Sequence, residues 1–299
     1  MSRIDVNGAA LEIGDKGEGE PLLLVHGSAS DYRNWENQME PFSAEFRTIA
    51  YSRRYHWPNE KIPADKKYLM DEQVEDLRAL IHVLDLAPVH LVGWSFGAFL
   101  ALMAVIREPS VARSLVLAEP PVVTLFVSNK PRPLELLKLF LTRPRTAAAI
   151  VKFGAKGVNP AGKAFARGDD QKGLEIFAQA IFGRGGYDNF TRTRKRQVQD
   201  NVSEAGAELT GPGFLPLSAD QVQSVETPTL LLNGERSIPL FKLLSDRLAE
   251  LLPHVERTSI PAASHLMLEE NPTAFNQVVL RFLRESTSAA ESGSRPDIE

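Results

Sequence analysis

Two hydrophobic periodicities divide the chain. Near the N-terminus, apolar and polar residues alternate over Ile4 to Val6 and Ala9 to Ile13 around Asn7-Gly8, which predicts a β-hairpin closed by a tight turn. Beyond it the apolar residues gather into short solid runs: Leu22 to Val25, Thr48 to Tyr51, Val89 to Val92, Ser114 to Ala118 and Thr229 to Leu232. Runs of this kind predict parallel strands covered on both faces. Between them the period lengthens to about 3.6. Leu69, Val74, Leu77, Leu80, Ile81 and Leu84 form a stripe that predicts a helix over Tyr68 to Leu84. Further helices are expected over Phe96 to Arg107, Phe241 to Leu252 and Pro272 to Arg284, with a last β-like stretch from Glu256 to Ile260. Strands alternating with helices predict an α/β fold, whose ligands bind at the carboxyl ends of the strands.

The alternation breaks between Leu125 and Leu215. Helical patterns punctuated by Arg143-Pro144, Gly154, Asn159-Pro160, Gly183 to Gly186 and Gly211 to Gly213 predict a helical insertion there. The expected organisation is a core from 1–124 and 216–285, a helical cap from 125–215, and a disordered tail rich in Ser, Ala and charge from 286–299.

Charge and composition narrow the classes of function. The 299 residues carry 34 Lys plus Arg against 38 Asp plus Glu, a net of −4, which argues against a nucleic-acid partner. Inside the 125–215 segment the balance is reversed. Its 15 basic and 8 acidic residues give +7, leaving −11 for the rest, as expected of a solvated basic face or of attraction for anionic substrates. The absence of cysteine removes disulfide scaffolds, thiolate metal sites and a cysteine nucleophile. No signal-peptide pattern opens the chain, and Leu91 to Ile106, its most apolar stretch, is too short to span a bilayer. The expectation is a cytoplasmic protein with no membrane partner. No Gly-x-Gly-x-x-Gly follows the first parallel strand, and neither a P-loop nor a His-Glu-x-x-His spacing occurs, so neither cofactor nor metal is expected.

The candidate chemistry centres on Gly93-Trp94-Ser95-Phe96-Gly97. Here Gly-x-Ser-x-Gly falls between a predicted strand and a predicted helix, where a sharp turn lifts a serine hydroxyl clear of the sheet. In this context the chain resembles the α/β-hydrolase superfamily over about Leu22 to Arg284, with the 125–215 insertion in the place of that family's lid. The resemblance implies a mostly parallel sheet flanked by helices and a triad in the order Ser, acid, His.

A serine hydroxyl needs a base. Of six histidines, His265, in Pro261-Ala262-Ala263-Ser264-His265 ahead of the last helix, matches the family's loop for it. His82, His90 and His254 lie in or beside predicted elements and read as structural. His26-Gly27 resembles the family's oxyanion turn, which implies backbone N–H donors at Ser28 and Phe96 and a structural His26. The acid departs from the pattern. Relatives place an aspartate in a Gly-x-x-Asp context after the strand Thr229 to Leu232, but here Asn233-Gly234-Glu235-Arg236-Ser237 puts a serine at that position. Glu119 ends the preceding strand and is followed by Pro120-Pro121, a placement some relatives use. Glu119 is therefore the expected acid, with Glu235 next and Asp246 a remote third.

Trp35, Trp94, His56, Leu266 and Met267 are candidate pocket residues, with Trp57 and Phe99 as further apolar candidates. Arg53 and Arg54 stand where relatives carry an Asp-x-x-Gly-x-Gly-like segment, and are read as partners of acidic neighbours or of an anionic group. The expected activity is cofactor-free hydrolysis of a small carboxylic ester or lactone, with an anionic substrate as one option, through an acyl-enzyme on Ser95. Carbon–carbon bond hydrolysis, thioester cleavage, perhydrolysis and a non-enzymatic receptor use of the scaffold remain open. Ser95 argues against haloalkane or epoxide hydrolysis, which would use an aspartate nucleophile.

Overall fold

Apolar runs with no polar face become strands with no exposed face. In the computed structural model, which describes residues 1–63, 65–183 and 185–292, eight strands form one sheet: β1 (Ser2–Val6), β2 (Ala9–Lys16), β3 (Pro21–Val25), β4 (Arg47–Tyr51), β5 (Val89–Trp94), β6 (Ala112–Ala118), β7 (Thr229–Gly234) and β8 (Val255–Ile260). Their order across the sheet is β1-β2-β4-β3-β5-β6-β7-β8. The hairpin β1–β2 is antiparallel, as is the pairing of β2 with β4, and the remaining pairs are parallel. Every residue of the central strands β5 and β7 is buried.

The helices are α1 (Glu36–Ser43), α2 (Met70–Val83), α3 (Phe96–Arg107), then α4 (Pro133–Thr142), α5 (Pro144–Phe153), α6 (Asn159–Phe165), α7 (Asp170–Phe182), α8 (Arg192–Asp200), α9 (Val202–Thr210), α10 (Ala219–Gln223), α11 (Pro239–Leu251), α12 (Met267–Glu270) and α13 (Pro272–Ser292). Strand residues alternate between two cores. Leu23, Leu91, Leu115 and Leu231 pack with Val74 and Leu77 of α2, Phe99 of α3 and Leu244 of α11. Leu22, Leu24, Val92 and Leu230 face Phe42 of α1 and Phe275, Val279 and Leu283 of α13. The segment between β6 and β7 folds into α4–α10 and adds a small core of its own, in which Phe165, Leu174, Val198 and Ala205 meet Ala29 of the sheet's edge loop.

Three boundaries depart from the sequence pattern. The turn-length helix α1 carries too few apolar positions to show a period, with only Gln38 and Phe42 buried. Helix α2 starts at Met70 because Tyr68, expected at its N-terminus, instead gives its hydroxyl to a buried polar cluster. The tail expected from 286 is corrected in part. Helix α13 runs on to Ser292, with Ser286 and Thr287 donating to Phe282 and Leu283 carbonyls and Thr287 also bonding His90 Nε2 at 3.0 Å; residues 293–299 lie outside the described residues. No helix among the described residues is long and apolar enough to cross a membrane.

Phe275 is fully buried between sheet and helix, whereas Leu134 on α4 is 74% exposed. Phe275→Ala is expected to lower unfolding free energy in urea by about 3–5 kcal/mol through lost burial and a cavity, and Leu134→Ala to stay within about 0.5 kcal/mol.

Candidate active site

The carboxyl edge of the sheet gathers the chemistry. Strand β5 ends in Trp94 and α3 begins at Phe96, so Ser95 alone makes the turn, with φ +54° and ψ −121°. Non-glycine residues enter that region only when their surroundings hold them there. Here Ser95 N–H donates to Ala118 O at 2.8 Å across to β6, and the helix packs down beside it. The close packing requires Gly97: a Cβ there would lie 2.2 Å from Val25 O and 2.4 Å from His26 O.

Glu119, the residue after β6, is likewise at positive φ, +49°. Its Oε2 lies 2.6 Å from Nδ1 of His265, with the two side chains 0% and 1% exposed. The other oxygen, Oε1, accepts from Gly234 N at 2.9 Å and from Asn233 Nδ2 at 3.3 Å. The last two residues of β7, just ahead of the stretch where the family pattern expects the acid, thus supply donors to a carboxylate arriving from β6. Ser237 is buried there with an unpartnered hydroxyl. Glu235 is exposed and accepts from Ala262 N at 2.7 Å, and Asp246 pairs with Arg257, so neither is a partner of His265.

The His265 ring is fixed on several sides. Phe241 stacks on it at 4.2 Å between centroids and 10° between planes, and Trp94 Nε1 donates to the His265 carbonyl at 2.7 Å. Among the described residues its Nε2 has no hydrogen-bond partner. Both His265 and Ser95 line a pocket of about 400 Å³, counting its open mouth, together with Ser28, Ala29, Trp94, Arg194 and an apolar wall from α7 and α8.

The turn carrying Ser28 presses against Ser95, since a Cβ on Gly27 would lie 2.6 Å from the Trp94 ring and 3.2 Å from Ser95 Cβ. His26 Nε2 accepts from Arg53 N–H at 2.9 Å, which leaves Nδ1 to donate to Gly27 O at 2.9 Å. Burial and the Arg53 charge push the His26 pKa well below its ordinary value, so the ring stays neutral. Arg53 also donates to Gly27 O, at 3.0 Å. Phe96 is the first residue of α3, so its N–H has no acceptor within the helix.

Arg53 and Arg54 find acidic partners. Arg54 grips both oxygens of Asp76 at 2.6 and 2.7 Å. Arg53 is buried and bonds Glu208 of α9 at 3.0 Å, with Tyr68 bridging the two and His56 Nε2 3.6 Å from Glu208. Burial alone would raise the Glu208 pKa, but the Arg53 charge, His56 and the Ser28 hydroxyl outweigh it and bring it down to about 2. This cluster ties the helical segment to the turn beside Ser95.

The expected pocket wall needs correction. Trp94 lines the cavity, but Trp35, Leu266 and Met267 do not; all three are buried in the core between sheet and α13. His56 belongs to the polar cluster, with Nδ1 on Ser30 O at 2.8 Å. Trp57 stacks under Arg33, and Phe99 packs in the core with Phe214. The wall comes instead from Leu174, Phe177, Ala178, Ile181, Phe182, Phe190, Arg194 and Val198. No group of three or more His, Asp or Glu side chains among the described residues could hold a metal ion.

With this architecture in view, the chain belongs to the alpha/beta hydrolase fold family, whose model matches residues 20–272. It is 23% identical over 289 residues to epoxide hydrolase 4 of Mus musculus, covering 90% of this chain and 74% of that one. Among solved structures it resembles a thermophilic esterase from Thermogutta terrifontis, with TM-score 0.69 and 22% identity over 96% of this chain and 99% of that one. A meta-cleavage product hydrolase from Pseudomonas fluorescens matches with TM-score 0.60 and 21% identity, over 96% and 98% of the two chains. At these identities the likeness to solved structures establishes the fold.

Glu208 gives a test of the polar cluster. Its depressed pKa means that the stabilisation it contributes is complete above the ordinary value of 4.5 and is lost as pH falls towards about 2. Glu208→Gln, which leaves Arg53 buried without its counter-charge, is expected to cost about 3–5 kcal/mol at neutral pH. In urea titrations the gap between wild type and variant should narrow below about pH 4.5.

Proposed function

We propose that the protein is a cofactor-free serine hydrolase that cleaves a carboxylic ester or lactone, with Ser95 as nucleophile, His265 as base and Glu119 as the acid that orients it. The observation that carries this reading is the pairing of Glu119 Oε2 with His265 Nδ1 at 2.6 Å, which leaves Nε2 without a partner on a ring that shares its pocket with Ser95. Rotation of the Ser95 hydroxyl towards Nε2 sets up proton transfer, a contact that commonly tightens only when substrate is bound.

As Ser95 Oγ attacks the carbonyl carbon, its proton passes to Nε2 and the carbonyl π electrons move to oxygen. Backbone N–H groups of Ser28 and Phe96 receive that oxyanion, each contributing roughly 3 kcal/mol to the transition state. The imidazolium is balanced by Glu119, and its proton then goes to the departing alkoxide as the acyl-enzyme forms. Water, deprotonated by the same Nε2, attacks the acyl carbon and releases the carboxylic acid and free Ser95. The helical segment 125–215 acts as the lid, since α7 and α8 supply the apolar wall.

The relatives named above include an epoxide hydrolase, an esterase and a carbon–carbon bond hydrolase, so the shared scaffold supports hydrolysis without selecting the bond. The serine at the elbow favours acyl transfer over epoxide opening.

A panel of aryl esters, lactones, thioesters and meta-cleavage products, assayed with wild type and Ser95→Ala, tests the reading. Ester or lactone turnover that falls about 10⁴-fold or more in Ser95→Ala is expected. Activity that survives the substitution would rule the mechanism out, and turnover confined to carbon–carbon substrates would reassign the bond. Against the best substrate, Glu119→Gln should lower kcat by about 10³–10⁴, and Glu235→Gln should leave it within about twofold.

A further inference from the structure

The pocket lining has one polar group that the triad and oxyanion turn do not use. Ser28, Ser95 and His265 belong to that machinery, and Ala29, Trp94, Leu174, Phe177, Ala178, Ile181, Phe182, Phe190 and Val198 are apolar or aromatic. The remaining lining residue is Arg194 of α8, whose side chain is 4% exposed. A guanidinium carries a fixed positive charge and five N–H donors in a planar fork. Burying one beside an apolar wall is costly unless its donors and its charge are met.

Arg194 is met on one side only. Among the described residues, the hydrogen bonds of its guanidinium all leave from Nη1: to Asn34 Oδ1 at 2.8 Å, Gln197 Oε1 at 2.8 Å and Glu269 Oε1 at 3.1 Å. Nε is buried without a partner. The nearby buried carboxylate of Asp31 does not complete it, because Arg33 occupies both Asp31 oxygens and Asn201 and Gln197 also donate to them. Arg194 Cζ lies 5.2 Å from the centroid of the Trp94 ring and 5.9 Å from that of Phe190. Nη1 is therefore anchored to the protein, with two aromatic rings close to the guanidinium carbon. The Nε edge, the one suited to a two-point grip on a carboxylate, has no acceptor among the described residues. The rest of the 125–215 segment adds a field of the same sign, with a net charge of +6 apart from Arg194.

We infer that Arg194 is a carboxylate-binding residue, and that the substrate is an ester or lactone with an apolar body and a free carboxylate that docks on its Nε edge while the reacting carbonyl lies at Ser95. This rests on the serine-hydrolase reading for the identity of the reacting bond, but the carboxylate site can be measured without turnover. Trp94, next to Ser95 in the chain and packed against both Arg194 and His265, joins the two ends of the site.

The experiment uses Ser95→Ala protein and two probes of matched shape, 3-phenylpropanoate and 3-phenylpropanamide, titrated by calorimetry. The carboxylate is expected to bind at least tenfold more tightly than the amide. In Ser95→Ala/Arg194→Met that ratio should fall to near one, and in Ser95→Ala/Arg194→Lys, which keeps the charge but loses the fork, it should be intermediate. Because the readout is a ratio within each variant, a general loss of packing shifts both probes and leaves the ratio intact. A ratio near one in Ser95→Ala, or one unchanged by Arg194→Met, would overturn the proposal. Wild-type hydrolysis of a neutral ester, 4-nitrophenyl butyrate, and of a carboxylate-bearing one, mono-4-nitrophenyl glutarate, reports on the reaction separately. Turnover without carboxylate discrimination removes the Arg194 site alone, and discrimination without any ester turnover keeps the site while removing the hydrolase reading.

Discussion

One buried contact organises the site: the carboxylate of Glu119 against Nδ1 of His265, 2.6 Å apart. A carboxylate taken wholly out of water is destabilising by several kcal/mol unless its oxygens are met by donors. Glu119 has donors on both. His265 meets Oε2, while Gly234 N–H and the Asn233 amide meet Oε1. Glu119, at positive φ, has its side chain on the last residues of β7, and the register of β6 with β7 brings Ala118 opposite Leu232, so that Glu119 N–H reaches the Leu232 carbonyl. The position of the acid is thus a property of two neighbouring strands. With Nδ1 engaged and the ring stacked on Phe241, the imidazole presents a single free nitrogen on the side of the pocket.

A second buried network sets how the helical segment meets that edge. Arg53 holds the Gly27 carbonyl and, through its backbone N–H, the ring of His26, while its guanidinium binds Glu208 from α9. The Ser28 hydroxyl contributes to the same carboxylate's low pKa. Movement of α9 would therefore be felt at the turn next to Ser95. Asp31, Arg33, Asp200 and Asn201 make a parallel connection from the same loop to the end of α8. The Gly27-Ser28 turn and the pocket wall are held by these two networks, although they come from distant parts of the chain.

The sheet was legible in the sequence because strands buried on both faces leave solid apolar runs, and Phe96 to Arg107 was legible because an apolar helix follows directly on the elbow. Ser95, His265 and Glu119 are candidates in the sequence because each sits just after a strand or in a loop between recognisable elements, and the serine at 237 leaves the end of the preceding strand as the place for a carboxylate. The pocket wall was not legible. Trp35, Leu266 and Met267 are as apolar as Phe182 and Phe190, and only tertiary packing decides that the first three face the core and the last two the cavity. Arg194 was hidden for a related reason: in Arg192-Thr193-Arg194-Lys195-Arg196 charge marks a basic stretch, and helix rotation alone selects the one residue that turns inward. Phe241, stacked on His265, gave no sign beyond opening a helical pattern. The partner of Arg53 lies 155 positions away, a distance over which no local pattern reports.

The central claim is that a single hydroxyl is activated by an imidazole held from β6. A crystal structure of the protein after reaction with an aryl phosphonate tests it most directly. The account predicts phosphorus bonded to Ser95 Oγ, one phosphoryl oxygen between the N–H groups of Ser28 and Phe96, and His265 still bonded to Glu119 with Nε2 turned towards the adduct. An adduct on another residue, or His265 paired with Glu235 in its place, would contradict it.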